Sequence, residues 1–234
     1  MTVSDQQVQD NYHRVRGLVD LACERAGRSP DQVALLPVSK FHPTSMIRAL
    51  IEIGCGVFGE NRVQEMVSKA TELGAGVAWV LIGHLQRNKA AQAAGVMSQL
   101  QSLDSLTLAS ALERRLASAQ TDTPLSVLIE VNTSGELSKW GVQPDQVMSF
   151  TAQLAAFPHL APRGLMTVAH PDPGLAEQGF ADLALLRDQL RTRDGGGWEE
   201  LSMGMSHDFP AAIAHGSTCV RIGTAIFGPR PSAV

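Results

Sequence analysis

Short apolar runs alternate with helical patterns along this chain of 234 residues, and that alternation limits its fold more than any other feature. Eight runs have the length and composition of buried strands: 33–39, 57–59, 77–82, 97–103, 125–131, 163–168, 200–203 and 218–222. Helical patterns lie between them, near residues 43–53, 60–73, 85–95, 105–120, 143–157, 174–192 and 208–215. Such alternation is typical of a parallel sheet that is covered by helices.

Eight strands predict a single closed (β/α)8 barrel of the TIM type, with an open doubly wound sheet as the alternative. An additional amphipathic helix is expected over residues 4–27, with Val8 and Val19 on its buried face and Gly27 at its end. No helix is expected after the last strand, so the N-terminal helix is predicted to fill that gap. Because no Pro-, Ser- or Gly-rich linker divides the chain, residues 1–234 are predicted to be one domain.

Composition and charge narrow the function to small-molecule chemistry. The formal net charge is -4 and no dense basic run occurs, so neither nucleic acid nor an anionic membrane is an expected partner. Cys23, Cys55 and Cys219 are widely spaced and predict buried free thiols, and the seven histidines show no metal-ligand spacing. Without a signal-peptide pattern or a membrane-spanning apolar run, a cytoplasmic location is expected.

Lys40 directly follows the first predicted strand, at the end of the barrel where active sites form. One interpretation is structural: the lysine stem packs against the barrel and its ammonium group reaches solvent or a carboxylate. The other is functional, because an amine whose pKa is lowered by desolvation and nearby cations can form an imine with a carbonyl cofactor.

The loops after strands seven and eight favour the functional interpretation. Barrels often bind phosphate there, and these loops contain Gly204-Met205-Ser206 and Gly223-Thr224. We expect the glycines to let the backbone approach a phosphate closely, while Ser206 and Thr224 supply hydroxyl groups. Either loop alone would more often be a simple turn, but together, in the positions that the fold predicts, they indicate a phosphate site.

Arg221 lies within the last predicted strand, between Val220 and Ile222. A salt bridge to a carboxylate of the barrel is the structural interpretation. If a pyridine ring lies beside it, Arg221 donates to the ring nitrogen, and that nitrogen stays largely unprotonated because a guanidinium does not release its proton. A cofactor held in this way is a weak electron sink.

Several motifs in the same order resemble those of the pyridoxal phosphate homeostasis proteins, which are related to the N-terminal domain of alanine racemase. The matching segments cover most of the chain: 37–43, 58–65, 82–89, 130–136, 164–168, 201–208 and 216–228. One departure is Trp140, which replaces a residue that is often small in the family and is expected to alter access to the pocket mouth.

The resemblance implies a barrel that binds pyridoxal 5′-phosphate (PLP) and stores, buffers or delivers it in the cytoplasm, without established turnover. It also implies PLP-dependent apoenzymes as partners. By resemblance, Lys40 carries the cofactor as a Schiff base and Arg221 faces the pyridine nitrogen. The remaining implied contacts are to the phosphate, from Ser206, Gly223 and Thr224, and to the pocket wall, from Asn61, His84 and Met205.

Two other functions fit parts of the sequence. An amino-acid racemase on the same barrel needs an acid/base group on each face of its substrate, and Tyr12 is the only tyrosine; His84, His170 and His207 remain as candidate proton carriers. Without the second domain of racemases, a monomer is expected. A dinucleotide site is formally indicated by GxGxxG at 54–59, but this motif follows a helix and contains a strand, which is the wrong context.

Overall fold

The computed structural model describes residues 4–120, 123–136 and 139–229. One sheet contains eight parallel strands: β1 Ala34–Pro37, β2 Val57–Glu60, β3 Ala78–Leu81, β4 Met97–Leu103, β5 Leu125–Glu130, β6 Leu160–Met166, β7 Glu200–Ser202 and β8 Cys219–Ile222. Each strand was predicted, with β6 beginning three residues earlier than expected. The predicted domain also includes residues 1–3, 121–122, 137–138 and 230–234, which lie outside the described residues.

The sheet closes into the predicted (β/α)8 barrel. Its order is β1-β8-β7-β6-β5-β4-β3-β2, and a parallel bridge between Val38 and Gly59 joins the two end strands. The Ser39 N–H donates to the Gly59 carbonyl at 3.1 Å. A Cβ at Gly59 would lie 3.3 Å from the side chains of both Leu36 and Val38, so the absence of a side chain permits the close contact at this seam.

Helices surround the barrel: α1 Asp5–Arg25, α2 Thr44–Glu52, α3 Val63–Leu73, α4 Ala90–Ala94, α5 Leu106–Ser118, α6 Val147–Gln153, α7 Pro173–Asp194, α8 Phe209–Ala214 and α9 Thr224–Phe227. The predicted helices at 85–95 and 143–157 are shorter α-helices flanked by 3-10 turns. Among the described helices, none has the length and apolar composition that a membrane span requires.

Helix α1 covers the barrel between α2 and α8, as expected, and it also contacts α9. It ends in a Schellman motif: Gly27, at φ +66°, donates to the Glu24 carbonyl, and Arg28 donates to the Cys23 carbonyl. The expectation that no helix follows the last strand was wrong, because α9 begins at Thr224. A single turn is too short for helical periodicity to be visible in a sequence.

Candidate functional site

A cavity of about 230 Å³ opens at the C-terminal ends of β1, β3, β7 and β8. This is the end of the barrel at which the sequence predicted a site. Six of the eight predicted site residues line the cavity: Lys40, Met205, Ser206, Arg221, Gly223 and Thr224. Residues that are far apart in the chain therefore meet at one place because they follow parallel strands.

The other two predicted residues, Asn61 and His84, line a neighbouring depression that also contains Arg62 and Lys89. Asn61 follows β2 directly. The His84 Nδ1 atom is 3.0 Å from an oxygen of Asp104. Their contact with a cofactor stays a prediction, since the cavity around Lys40 does not include them among its lining residues.

The exposed indole of Trp140 stacks on the His84 ring, with 3.7 Å between the ring centroids. The two rings are nearly parallel, with an angle of 13° between their planes. This contact joins the loop after β5 to the loop after β3 at the rim of the barrel.

The turn that carries Lys40 has an unusual backbone. The next residue, Phe41, has φ +68°, which is in the left-handed region that bulky side chains rarely adopt. Its N–H donates to Oε1 of Glu65 at 2.6 Å. On the other side of Lys40, the buried Ser39 hydroxyl donates to Oε1 of Glu60 at 2.6 Å. Hydrogen bonds thus hold the residues on both sides of the lysine.

A buried ammonium group joins these contacts. Lys69 on α3 donates to the Ser39 carbonyl at 2.8 Å, to Glu60 at 2.7 Å and to Glu65 at 2.8 Å. These contacts use all three N–H donors of the ammonium group. Burial raises the pKa of Glu60, and the charge of Lys69 opposes that rise.

Arg221 lies inside the barrel and is 5% exposed. One terminal nitrogen donates to the Ser202 carbonyl and hydroxyl, both at 2.7 Å, and the other donates to the Thr167 carbonyl at 2.7 Å. Among the described residues, no carboxylate forms an ion pair with Arg221, so the salt bridge of the structural interpretation is not seen there. The guanidinium is oriented by neutral oxygen atoms, and it lines the cavity.

A chain of hydrogen bonds continues from Arg221 down the barrel interior. The Ser202 hydroxyl donates to the Gln101 amide oxygen at 2.6 Å. Gln101 donates to Gln99 at 2.8 Å, and Gln99 donates to Glu200 at 2.9 Å. The Ser202 side chain that holds Arg221 is therefore held in turn by a partly buried polar network.

Glu130, at the end of β5, is the buried acid that the charge of Arg221 affects. Burial and the negative charge of Asp104 raise the pKa of Glu130 to about 7, although Arg221 opposes the rise. One carboxyl oxygen of Glu130 is buried without a hydrogen-bond partner among the described residues. At neutral pH this acid is partly protonated.

The glycines after β7 and β8 are also required by packing within the protein, and their approach to a phosphate stays a prediction. Gly204 has φ +98°, and a Cβ there would lie 2.7 Å from the Ala212 Cβ atom. A Cβ at Gly223 would lie 3.1 Å from the Val38 carbonyl oxygen. Both glycines thus allow close packing within the protein. The Ser206 and Thr224 side chains line the cavity as expected, and Thr224 begins α9, whose first N–H groups have no acceptor within the helix.

The sequence interpretation missed His42, which lines the cavity; His207, which it named only as a candidate proton carrier, also lines it. His42 is buried and its ring stacks on Phe227, with 5.4 Å between the centroids. Burial, together with the charge of Lys69, lowers the pKa of His42 and so favours the neutral ring. Its position two residues after Lys40 was the available signal, because both lie in the same turn after β1.

Comparisons with known proteins agree with this arrangement. Residues 11–231 match the family described as alanine racemase, N-terminal domain. The chain is 38% identical over 229 residues to the pyridoxal phosphate homeostasis protein of Haemophilus influenzae, covering 95% of this chain and 96% of that protein. The chain belongs to the pyridoxal phosphate homeostasis protein family.

Solved structures of two kinds share the fold of this chain. PipY from Synechococcus elongatus, in a structure with PLP bound, matches with a TM-score of 0.80 and 31% identity over 94% of this chain and all of that one. An alanine racemase from Clostridium difficile matches with a TM-score of 0.74 and 13% identity, and this chain covers 58% of it. The second likeness shows the shared fold alone.

Proposed function

We propose that residues 1–234 form one barrel domain that holds PLP as a Schiff base on Lys40. The proposed role is intracellular PLP homeostasis, in which the protein stores, buffers or delivers the cofactor without catalytic turnover. The observation that carries this proposal is that Lys40 and Arg221 line one cavity together with the hydroxyl-bearing residues Ser206 and Thr224. Membership of the PLP homeostasis family supports it.

The residues that line the cavity fit three chemical groups of PLP: the aldehyde, the pyridine nitrogen and the phosphate. When bound, PLP supplies an aldehyde that reacts with primary amines, and Lys40 is the lysine of this cavity. Arg221 is a fixed donor suited to the pyridine nitrogen. Ser206, Gly223 and Thr224, which line the same cavity, suit the phosphate. Asn61, His84 and Met205 complete the proposed set of PLP contacts.

Two features favour a carrier over an enzyme. A guanidinium beside the pyridine nitrogen does not release its proton, so the ring is a weak electron sink. Tyr12 is the only tyrosine in the sequence, and it lies on α1. Its side chain is near Cys55, and burial raises the pKa of Tyr12. It is not part of the cavity lining. We therefore propose no two-base racemisation.

The proposal extends to the location, the oligomeric state and the partners of the protein. We propose a cytoplasmic monomer whose partners are PLP and PLP-dependent apoenzymes. The three cysteines are free thiols, which fits a reducing compartment.

The covalent attachment is tested by spectroscopy and mass spectrometry of purified protein. Protein loaded with PLP is expected to show a visible absorption band that borohydride removes, and digestion is then expected to locate the reduced adduct on Lys40. Lys40→Ala should lose both signals, whereas Lys89→Ala keeps them. An adduct on another lysine in the wild-type protein would contradict the assignment.

The absence of turnover is tested with the loaded protein and single amino acids. Both enantiomers and any carbonyl product are followed, with free PLP at the same concentration as the reference. We expect rates equal to those of free PLP. A faster rate that Lys40→Ala abolishes would show that the protein is an enzyme.

A further inference from the structure

We propose that Lys69 and Glu65 are positioning residues for Lys40, holding its turn in a strained conformation that directs the lysine into the cavity. This inference rests on the proposed function of Lys40. Neither residue lines the cavity itself. Both lie on α3 and act through the backbone atoms of Ser39 and Phe41.

The backbone around Lys40 is fixed at four atoms. The Ser39 N–H donates to the Gly59 carbonyl across the seam of the barrel. The Ser39 carbonyl accepts from Lys69 at 2.8 Å and from the His42 N–H at 3.0 Å. The Phe41 N–H donates to Glu65. The direction in which Lys40 leaves the chain is therefore set by contacts to β2 and α3.

The contact to Glu65 has a specific physical purpose. A non-glycine residue at φ +68° is sterically unfavourable, so a stabilising contact is needed to keep Phe41 in this conformation. Glu65 supplies a charged acceptor only 2.6 Å from the Phe41 nitrogen. The Arg62 guanidinium, 5.3 Å from the centre of the Phe41 ring, also contacts the side chain.

Lys69 determines where that acceptor lies. Glu65 Oε1 accepts from both Phe41 and Lys69, and Lys69 also binds Glu60, which is fully buried. The Lys69 ammonium group thus holds the Glu65 carboxylate with one N–H donor, and its other two donors bind the Ser39 carbonyl and Glu60. Because Glu60 belongs to β2, the network ties the Lys40 turn to the barrel wall.

The test compares Glu65→Ala in two backgrounds of the full-length protein freed of PLP. In the wild-type background, we expect borohydride-trappable adduct to form about tenfold more slowly after mixing with PLP, since the strained turn is then populated less often. Glycine adopts positive φ without steric cost, so in a Phe41→Gly background the same change is expected to slow the reaction less than about threefold. Ser68→Ala, on the exposed face of α3, is the control and should react like wild type.

A second measurement does not depend on PLP. Hydrogen exchange at the Phe41 amide should be protected in the wild type and should become faster in Glu65→Ala, whereas Glu65→Gln, which keeps an acceptor oxygen, should retain most of the protection. An unprotected Phe41 amide in the wild type overturns the proposal even if no variant folds. Equal slowing of adduct formation in both backgrounds, or no slowing, also overturns it. If the wild-type protein forms no adduct on Lys40, the proposed function is wrong. Hydrogen exchange at the Phe41 amide then still tests whether Glu65 binds the Phe41 N–H group.

Discussion

The two buried cations beside the cavity have opposite surroundings. Lys69, on the β1 and β2 side, contacts two carboxylates and one carbonyl oxygen. Arg221, on β8, contacts two carbonyl oxygens and one hydroxyl. One charge is neutralised where it lies, and the other is held in place without a paired carboxylate in the described part of the chain.

This difference gives the two cations different roles within one barrel. A charge that is paired by carboxylates mainly stabilises its own neighbourhood, and here it fixes the turn of Lys40. A charge that is oriented only by neutral dipoles keeps its field and its remaining donors for a ligand. The raised pKa of Glu130 is consistent with this division, because the acid that the charge of Arg221 affects is partly neutral at pH 7.

The largest expected loss of stability follows from replacing Lys69, the paired cation. Lys69→Met leaves Glu60 and Glu65 without their ammonium partner, and an unpaired buried charge costs about 3–5 kcal/mol. Denaturant unfolding should show this loss in the free energy of unfolding.

The loss of stability in Lys69→Met is to be compared with the losses in two other variants. Arg221→Met leaves only neutral acceptors unsatisfied, so we expect a smaller loss of about 1–3 kcal/mol. Lys89→Met, which removes a charge without a buried ion pair in the described chain, should change stability by less than about 0.5 kcal/mol. If Arg221→Met destabilises the protein more than Lys69→Met, the contrast between the two cations is wrong.

The next effect concerns Glu130, the acid close to the unpaired cation. Its pKa is about 7 in the folded protein against an ordinary value of 4.5, so folding favours its protonated form. The stability that this preference supplies is present below the unfolded pKa and is lost as pH rises through the folded value. The free energy of unfolding should fall by up to about 3 kcal/mol between about pH 5 and about pH 8.

Glu130→Gln should remove that part of the pH dependence, because the amide cannot ionise. Unfolding curves at several pH values, compared with the exposed variant Glu199→Gln, isolate the contribution of the buried acid. A Glu130→Gln protein whose stability falls with pH as steeply as that of wild type would show that folding does not raise the pKa of Glu130.

The fold was predictable because buried parallel strands are continuous apolar runs. The predicted strands match the observed ones closely. The predicted start of β6 was three residues late, because Pro162 interrupts the apolar pattern after Leu160. The residues at the strand ends were predictable for the same reason. Lys40 and Arg221 are placed by strand position alone, and both line the cavity.

The supporting network was not predictable from spacing. Glu65 and Lys69 form an ordinary i,i+4 pair on a helix, and such pairs are usually exposed. Their burial depends on how α3 is rotated against the turn after β1. Phe41 also gives no signal, because positive φ is normally marked by glycine.

A smaller effect is expected at Ser202, whose hydroxyl links Arg221 to Gln101. Ser202→Ala removes one acceptor from the guanidinium and one donor from the amide, which should cost about 1–2 kcal/mol in stability. Because Arg221 is then held less firmly, the Kd for PLP should rise about threefold to tenfold. Ser126→Ala is the matched control, since its hydroxyl binds Gln99 in the same network without touching Arg221. Similar losses of PLP affinity in both variants would show that Arg221 is not the cause.

The smallest effect should occur at the edge of the mouth that contains neither cation. Trp140→Ala removes the stacking of an exposed indole on His84, and we expect a loss of stability of no more than about 1 kcal/mol. Trp79 and Trp198 are buried, so the variant should lose the emission of the solvent-exposed indole. His84→Ala, which removes the other ring, should cost a similar amount. If Trp140→Ala weakens PLP binding as much as Ser202→Ala does, the stacked indole itself contributes to holding the cofactor, and orientation by Arg221 does not act alone.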